Sequence, residues 1–420
     1  MKTVKEAQTI ILEHVSVLKA ENVPIESCLG RILAEDVSSN RNHPPYDMSA
    51  MDGYAVRHVD IKDAAKASPA ILSIVDDIRA GVEPICAIKE GEASRIMTGA
   101  AVPSGADTVI RVEDTDYAGT KVKIFVPASK GTDIRRLGEN LRAGDHVLNR
   151  GIDIGAAQLG ILAMVKKATV PVHRKPKIAI ISTGDELEGL TEKFNERKIP
   201  DANSYTAMAQ ALSAGAEPVI LGIAGDSKEA LKKKLLEGLE YDGLIVSGGV
   251  SVGHHDFVRP TLGELGIDML FWRVAMRPGH PFAFGLRGKT PVFALPGNPV
   301  SSMVCFEEFI TPAIRKMVGA GAVFRKTIKA RLTEDVPDKR GRVHFMRVVL
   351  EYTPDGYSAR LTGSQGSAIL MSMTAAHGLL VVPSHSEILK KDSIATVQLL
   401  NYSSGPSGFQ HESDIPEEEA

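Results

Sequence analysis

The feature that most constrains this chain is the alternation that begins at Lys177. Strand-like KIAIIS is followed by helical NSYTAMAQALSAG, then PVILGIA, SKEALKKKLLEGL, GLIVSGG, a further helix, PVFALPG and NPVSSMVCFEEFITPAIRKM. Parallel neighbours need a crossover long enough to be a helix, so this order predicts a mostly parallel sheet with helices on both faces, a three-layer α/β/α domain. In such an open sheet, ligands bind outside the carboxyl ends of the strands. Four polar loops follow the four strands: STGDE, AGD, SGGVSVGHHD and PGNP. They are expected to share one edge and line one pocket.

At about 150 residues per domain, 420 residues call for several domains around this one. The N-terminal stretch carries an apolar stripe at Val4, Ala7, Ile11, Val15 and Leu18, a helix face and not a secretory h-region. Pro44-Pro45 marks a boundary, after which AILSIVDDI, EASRIMTG, ADTVIRVED and KVKIFVP read as short strands. Residues 152–165 return to helical spacing and are expected to pack on the first helix, which makes the first domain discontinuous. Beyond residue 320 the segments ARLTEDV, RVHFMRVVLEY, YSARLTG, GLLVVP and SIATVQLL read as strands again. The expected class is a multidomain α/β protein: a discontinuous helical and extended domain (1–44 with 140–172), an inserted β-rich domain (45–139), the α/β/α domain (173–319), a C-terminal β domain (320–403) and a disordered tail (404–420).

Charge and composition exclude some functions. The 49 Lys and Arg against 52 Asp and Glu leave a formal charge of −3, no basic field for a nucleic-acid backbone. No apolar run is long enough to span a membrane. Cys28, Cys86 and Cys305 are too few and too far apart for a disulfide framework or a zinc cluster, so a reducing cytoplasm is the expected compartment. All three read as core or helix residues and not as nucleophiles.

The loops carry the chemistry. Glycines at Gly248, Gly249 and Gly253 allow backbone N–H groups to approach an anion, although His254-His255 stand where a P-loop needs Lys and Ser or Thr. Alone, this run reads equally as a structural turn. In PGNP, Gly297 permits a sharp turn, Asn298 is a good N-cap and Pro299 suits a first helical position, so a helix N-terminus favourable to phosphate is aimed at the pocket. Asp185, Glu186, Asp226 and Asp256 bring hard oxygen donors to the same edge, a set that suits Mg²⁺ shared with phosphate, while each alone serves as readily as a cap. Arg273, Arg277 and His280 add donors close together that suit an oxyanion, while an arginine pair so spaced is more often a solvated strand face. In the inserted region Asp47, Ser49, Asp52, Gly53 and Thr98-Gly99 read by composition as ordinary turns.

Read together, PPYDMSAMDGYAV, RIMTGAAVPSGADTVIRVEDT, IRRLGENLRAGD, STGDEL, SGGVSVGHHDFV, MRPGHPFAFG and LPGNPVSS strongly resemble the molybdopterin molybdenumtransferase family, the MoeA proteins to which the E domain of gephyrin is similar. The resemblance runs from about residue 4 to residue 400. It implies an enzyme that takes adenylylated molybdopterin and molybdate, inserts the metal between the dithiolene sulfurs and releases AMP with Mg²⁺. It further implies an elongated homodimer, with the α/β domain of one subunit facing the inserted domain of the other. Carried over by motif, the catalytic positions are Asp52, Thr98, Glu186, Asp226 and Asp256, with Glu186, Asp226 and Asp256 as metal ligands. The cradle for pterin and phosphate is Gly248, Gly249, Ser251, Pro296, Gly297, Asn298 and Ser367, and the oxyanion falls to Arg273, Arg277 and His280. These last three stand where lysines are common, and Asn140 stands where an aspartate is common. The implied partners are a molybdopterin adenylyltransferase upstream and a molybdoenzyme or chaperone as acceptor, with neither nucleic acid nor membrane. A tungstate-using paralogue and a non-catalytic molybdopterin-binding scaffold are the alternatives.

Overall fold

The first helix, α1 (Val4–His14), is closed by a reciprocal pair: Thr3 Oγ1 accepts the Glu6 N–H at 3.2 Å, and the Glu6 carboxylate accepts the Thr3 N–H at 2.7 Å. The expected stripe extends to Leu18, yet the helix ends at His14 and Val15 is extended (ψ 138°). β-branched Val15 and Val17 lose side-chain freedom in a helix, and the Leu18 N–H is tied instead to Met317 O at 2.8 Å. The computed structural model describes residues 1–116, 119–193, 195–225, 227–249, 258–338 and 341–400. The chain divides into two compact units, one made of Met1–Glu35, Arg150–Ile154 and the chain from Val170 onward, the other of Asp36–Asn149 and Gly155–Thr169.

The second unit is built on a five-stranded sheet of β1 (Gly53–Val56), β2 (Ala70–Ile78), β3 (Glu92–Ile96), β4 (Thr108–Arg111) and β5 (Lys121–Ile124), in the order β4-β1-β3-β2-β5. Alternate residues of β1 enter different cores: Tyr54 and Val56 pack with Leu72, Ile110 and Ile124, whereas Ala55 packs with Ile78, Ile96 and Val109. Both faces of this small sheet are therefore buried. Position 53 must be glycine, because a Cβ there would overlap the Ile110 carbonyl of the neighbouring strand. Helix α2 (Ala156–Met164) belongs to the same unit.

The first unit holds the expected α/β/α arrangement. Its elements are β6 (Lys177–Thr183), α3 (Ala202–Ala214), β7 (Glu217–Ala224), α4 (Lys228–Gly238), β8 (Gly243–Ser247), α5 (Val258–Glu264), β9 (Asp268–Trp272), β10 (Met276–Arg277), β11 (Ala283–Arg287) and β12 (Thr290–Leu295). The sheet order is β7-β6-β8-β12-β11-β9, with the first four strands parallel and β11 antiparallel to both its neighbours. Period-two alternation feeds two cores. Ile178, Ile180, Ile245 and Phe293 face α1, α3 and the helices after β12, while Ala179, Ile181, Leu244 and Val246 face α4 and α5. The run after β12 is not one regular helix. It comprises α6 (Pro299–Cys305), a π-helical turn (Phe306–Ile310) and α7 (Thr311–Met317), and it is buried almost throughout.

The last strands are β13 (Thr327–Leu332), β14 (Val343–Thr353), β15 (Gly356–Leu361), β16 (Gly378–Val382) and β17 (Ile394–Leu399). They close on themselves in the order β14-β15-β13-β17-β16, because β16 also pairs with β14. The barrel encloses Leu332, Met346, Val348, Leu350, Ala359, Leu380 and Val397. Strand β10 lies outside, parallel to β14, with Arg277 in register with His344.

Candidate functional site

The carboxyl ends of β6, β7, β8 and β12 meet at one edge, as their registers require: Thr183 is opposite Ala224, Ser182 opposite Ser247, and Ser247 opposite Leu295. The loops that follow are tied together. Thr183 Oγ1 donates to Ser247 O at 3.4 Å, and the Gly248 N–H donates to Leu295 O at 3.0 Å. Gly248 and Gly249 both have positive φ, 93° and 64°. A Cβ on Gly248 would lie 2.7 Å from the Thr183 carbonyl oxygen, and one on Gly297 would lie 3.8 Å from Gly248 Cα. Two glycine turns thus face each other: the Gly248 turn leaves no room for a side chain against Thr183, whereas a Cβ on Gly297 would make only ordinary contact.

Glu186 and Asp185 stand exposed at the same edge. The Glu186 carboxylate lies over Gly184 (φ 139°), where a Cβ would collide with it, and Asp185 Oδ1 would lie 3.2 Å from a Cβ on Gly225. Pro296 is buried while Gly297 and Asn298 are exposed. Asn298 occupies the N-cap of α6, as expected, but its side chain makes no capping bond, and Pro299 takes the first helical turn. Asp226, Ser251 and Asp256 lie outside the described residues. Among the described residues no three His, Cys, Asp or Glu side chains converge to hold a metal.

Sequence reasoning missed the residue that joins two of these loops. Asn203 Nδ2 donates to Ser247 Oγ at 2.9 Å and to Gly297 O at 2.8 Å. It is presented by the first turn of α3, where Asp201 accepts the Ser204 N–H at 3.1 Å and the Ser182 hydroxyl at 2.9 Å. The available signal was the Asp-Ala-Asn-Ser run after a strand, an N-cap followed two residues later by an amide in the first turn.

Arg273 and His280 stand at this same edge, since Trp272 is opposite Ala283 and Ala283 opposite Ala294. Arg273 is exposed with φ 86°, and His280 Nδ1 donates to Val274 O at 2.9 Å. Gly279 (φ 99°) leaves no room for a Cβ against Cys305 Sγ, which seats the loop on α6. Arg277 follows a different path. It joins β14, and its Nη1 is 3.6 Å from Asp338 Oδ1.

Ser367 is brought in by the barrel: its carbonyl accepts the Val300 N–H of α6 at 3.0 Å. Behind this loop is a second residue missed in the sequence, Arg347, which is fully buried in β14. Its guanidinium donates to Gly366 O at 3.0 Å and Ser372 Oγ at 3.1 Å, and its backbone N–H donates to Gln365 Oε1 at 2.8 Å. Burial lowers its pKa to about 10. An arginine inside an apolar strand run has no sequence mark that separates it from a solvated one.

In the second unit Asp52 and Thr98 do form a pair. Thr98 donates to Asp52 Oδ1 twice, through its N–H and its hydroxyl, both at 2.7 Å. These bonds hold the Asp52 carboxyl below its usual pKa. A cavity of about 280 Å³ opens beside Asp52, bounded by Gly53, Arg95, Met97 and Val112. Asp47 lies in a loop and accepts the Leu137 N–H at 2.8 Å, whereas Ser49, expected in a turn, is buried in a two-residue strand with Met48, paired with Ile134, and its Oγ donates to Met51 O at 2.5 Å. Asn140 is exposed, its N–H on His43 O at 3.0 Å. Cys28 and Cys305 are buried, and burial pushes both thiols up, but Cys86 is exposed, so the expectation of three core cysteines fails for that one.

Residues 2–165 match the family described as MoeA N-terminal region (domain I and II), residues 179–316 that of a probable molybdopterin binding domain, and residues 329–400 that of the MoeA C-terminal region (domain IV). Molybdopterin molybdenumtransferase 2 of Mycobacterium tuberculosis is 35% identical over 391 residues, which cover 91% of this chain and 96% of the relative. The molybdopterin molybdenumtransferase of Bacillus subtilis is 33% identical over 394 residues, 91% of this chain and 90% of that one. Among solved structures, a molybdopterin biosynthesis moeA protein from Pyrococcus horikoshii superposes with a TM-score of 0.82 at 30% identity, covering 95% of this chain and 100% of that one.

Proposed function

The chain belongs to the MoeA family of molybdopterin molybdenumtransferases, and from that premise we propose that it inserts molybdenum from molybdate into adenylylated molybdopterin and releases AMP. Membership makes it a transferase of molybdenum cofactor biosynthesis. The finer reading rests chiefly on one observation: the glycine turns at Gly248-Gly249 and Pro296-Gly297, the start of α6 and the Ser367 carbonyl gather at one sheet edge. The Gly248 and Val300 N–H groups are already bonded and Pro299 has none, so the phosphate of the pterin side chain would be received by the remaining backbone N–H groups of these turns and by the positive end of α6. Arg273 and His280 at the same edge, with Arg277, would receive molybdate. The sulfurs that take the metal belong to the substrate, so the buried Cys28 and Cys305 have no part in the reaction.

Carboxylates beside a phosphoanhydride are the donor set that suits Mg²⁺, which takes few protein ligands and keeps several waters. Glu186, with Asp226 and Asp256, would hold it, and when bound it offsets negative charge on the departing phosphate. The protein's own part is placement: the glycine turns fix the phosphate, Asn203 holds the two turns at a constant separation, and the arginines offset the oxyanion charge. The homodimer is part of the proposal, with Asp52 and Thr98 contributed by a partner copy. Mixing inactive Asp52→Ala and Glu186→Ala chains should restore part of the activity.

The test is AMP release from adenylylated molybdopterin by the purified chain, with and without molybdate and Mg²⁺, and with tungstate as competitor. AMP that appears only with oxyanion and divalent ion together supports the reading. Substrate binding without AMP release under any of these conditions overturns it in favour of a scaffold role.

A further inference from the structure

Arg277 is not alone in its surroundings. Its register partner His344 and the carboxylate of Asp338 form a chain of three groups: Asp338 Oδ1 is 2.9 Å from His344 Nδ1 and 3.6 Å from Arg277 Nη1. Asp338 and His344 are deeply buried, with side chains 2% and 4% exposed, whereas that of Arg277 is 53% exposed. The Asp338 N–H donates to Glu387 O at 2.6 Å, which holds the backbone that carries the carboxylate. A cavity of about 440 Å³ is bounded by Arg277, Asp338 and His344 together with Met346, Leu361 and Gln365. Because Nδ1 is bonded to Asp338, Nε2 is the ring nitrogen left for the cavity that His344 lines.

We propose that His344 is a second contact for the anion that Arg277 receives, and that Asp338 is the positioning residue behind both. The inference rests on the reading of Arg277 as an oxyanion-binding group. With neutral His344, the Arg277 and Asp338 charges cancel and the pocket offers a dianion little. A proton on Nε2 turns the same pocket net positive and supplies a hydrogen-bond donor, while Asp338 stabilises the imidazolium it faces. Anion binding and proton uptake are therefore linked. Burial holds the His344 pKa below its ordinary value in the free chain, opposed by Asp338 and reinforced by Arg277 and Arg347, the charged groups that face it. A bound dianion acts in the opposite direction.

The test is calorimetric titration of the full chain with molybdate, and with sulfate as an inert dianion, between pH 6 and pH 8. Buffers of different ionisation enthalpy report proton uptake, and NMR follows the His344 imidazole. The wild type should bind several-fold more tightly at pH 6 than at pH 8, within the roughly tenfold that one pKa unit of linkage allows, and the His344 titration should move upward when molybdate saturates. His344→Gln should lose most of the pH dependence, its affinity changing by less than about twofold between pH 6 and pH 8. Asp338→Asn keeps an acceptor for Nδ1–H but removes the countercharge, so it should bind more tightly at pH 8 with a flatter pH profile. A purely structural role for Asp338 would instead weaken binding at every pH. The inference is overturned if His344 titrates identically with and without molybdate, or if His344→Gln takes up as many protons as the wild type. If Arg277→Met binds molybdate as the wild type does, the oxyanion reading of Arg277 has failed, whatever His344 does.

Discussion

The carboxyl edge of the six-stranded sheet and the closed barrel both present polar groups, but by different means. At the sheet edge each group stands in a loop directly after its strand, so neighbours in sequence are neighbours in space: Gly248 and Gly249 after β8, Pro296 and Gly297 after β12. In the barrel, His344 and Arg347 sit within β14, buried, with partners 6 to 25 residues away in sequence. The Asp185, Glu186 and Asn298 side chains of the edge are exposed and so tolerant of truncation, whereas the barrel's polar groups have exchanged water for a few fixed partners. Loss of a group should therefore cost rate at the edge and stability in the barrel.

The largest expected effect tests the barrel side of that contrast. Arg347→Ala leaves Gly366 O and Ser372 Oγ without their donor inside the protein, and should cost about 3 kcal/mol or more in denaturant unfolding. An unfolding midpoint equal to the wild type's would show that the barrel is as tolerant as the edge. Glu186→Ala is the converse, expected to lower AMP release about a hundredfold, roughly 3 kcal/mol of barrier, with an unchanged melting temperature. Asn203→Ala sharpens the comparison, because it removes a bond at the edge that is structural in kind: kcat/KM should fall about tenfold and stability by roughly 1 kcal/mol. A stability loss as large as that of Arg347→Ala would place Asn203 with the barrel groups.

The last effect is one of slope, spread over several pH units, and concerns the packed π-helical turn between the two regions. Burial, reinforced by neighbouring Glu307 and opposed by hydrogen bonds from Gln398 and Gln8, raises the Glu308 pKa from 4.5 to about 8. The folded chain then binds a proton that the unfolded chain has released, so this contribution is fully present below pH 4.5 and is lost as pH rises through about 8. Glu308→Gln should flatten the fall of stability across that window by at most about 1.4 kcal/mol per pH unit, as read from melting temperatures at pH 5, 6, 7 and 8. Parallel curves for the two proteins would show that Glu308 is ionised in the fold.

Much of the sheet edge was legible because its determinants are local. Gly248 and Gly249 announce unusual dihedrals and close approach by their type, and strand and helix alternation orders the loops along one edge. Arg277, grouped in sequence with Arg273 and His280 by proximity, was only partly legible, since its strand joins the barrel. The end of α1 at His14 shows the same limit, for the stripe to Leu18 is a real apolar pattern that an extended segment buries equally well.

Taken by itself, the order of residues determined the α/β/α layer, the shared edge of its four parallel strands and the glycine turns upon it, because periodicity and backbone sterics act over a few residues. Only the tertiary structure decided that Asn203 clips Ser247 to Gly297, that Arg347 anchors the Ser367 loop and that Asp338 joins His344 to Arg277. Those contacts depend on strand register and on the burial of polar groups. A buried polar group finds whatever partner the fold brings within reach, and no local pattern along the chain records which one that is.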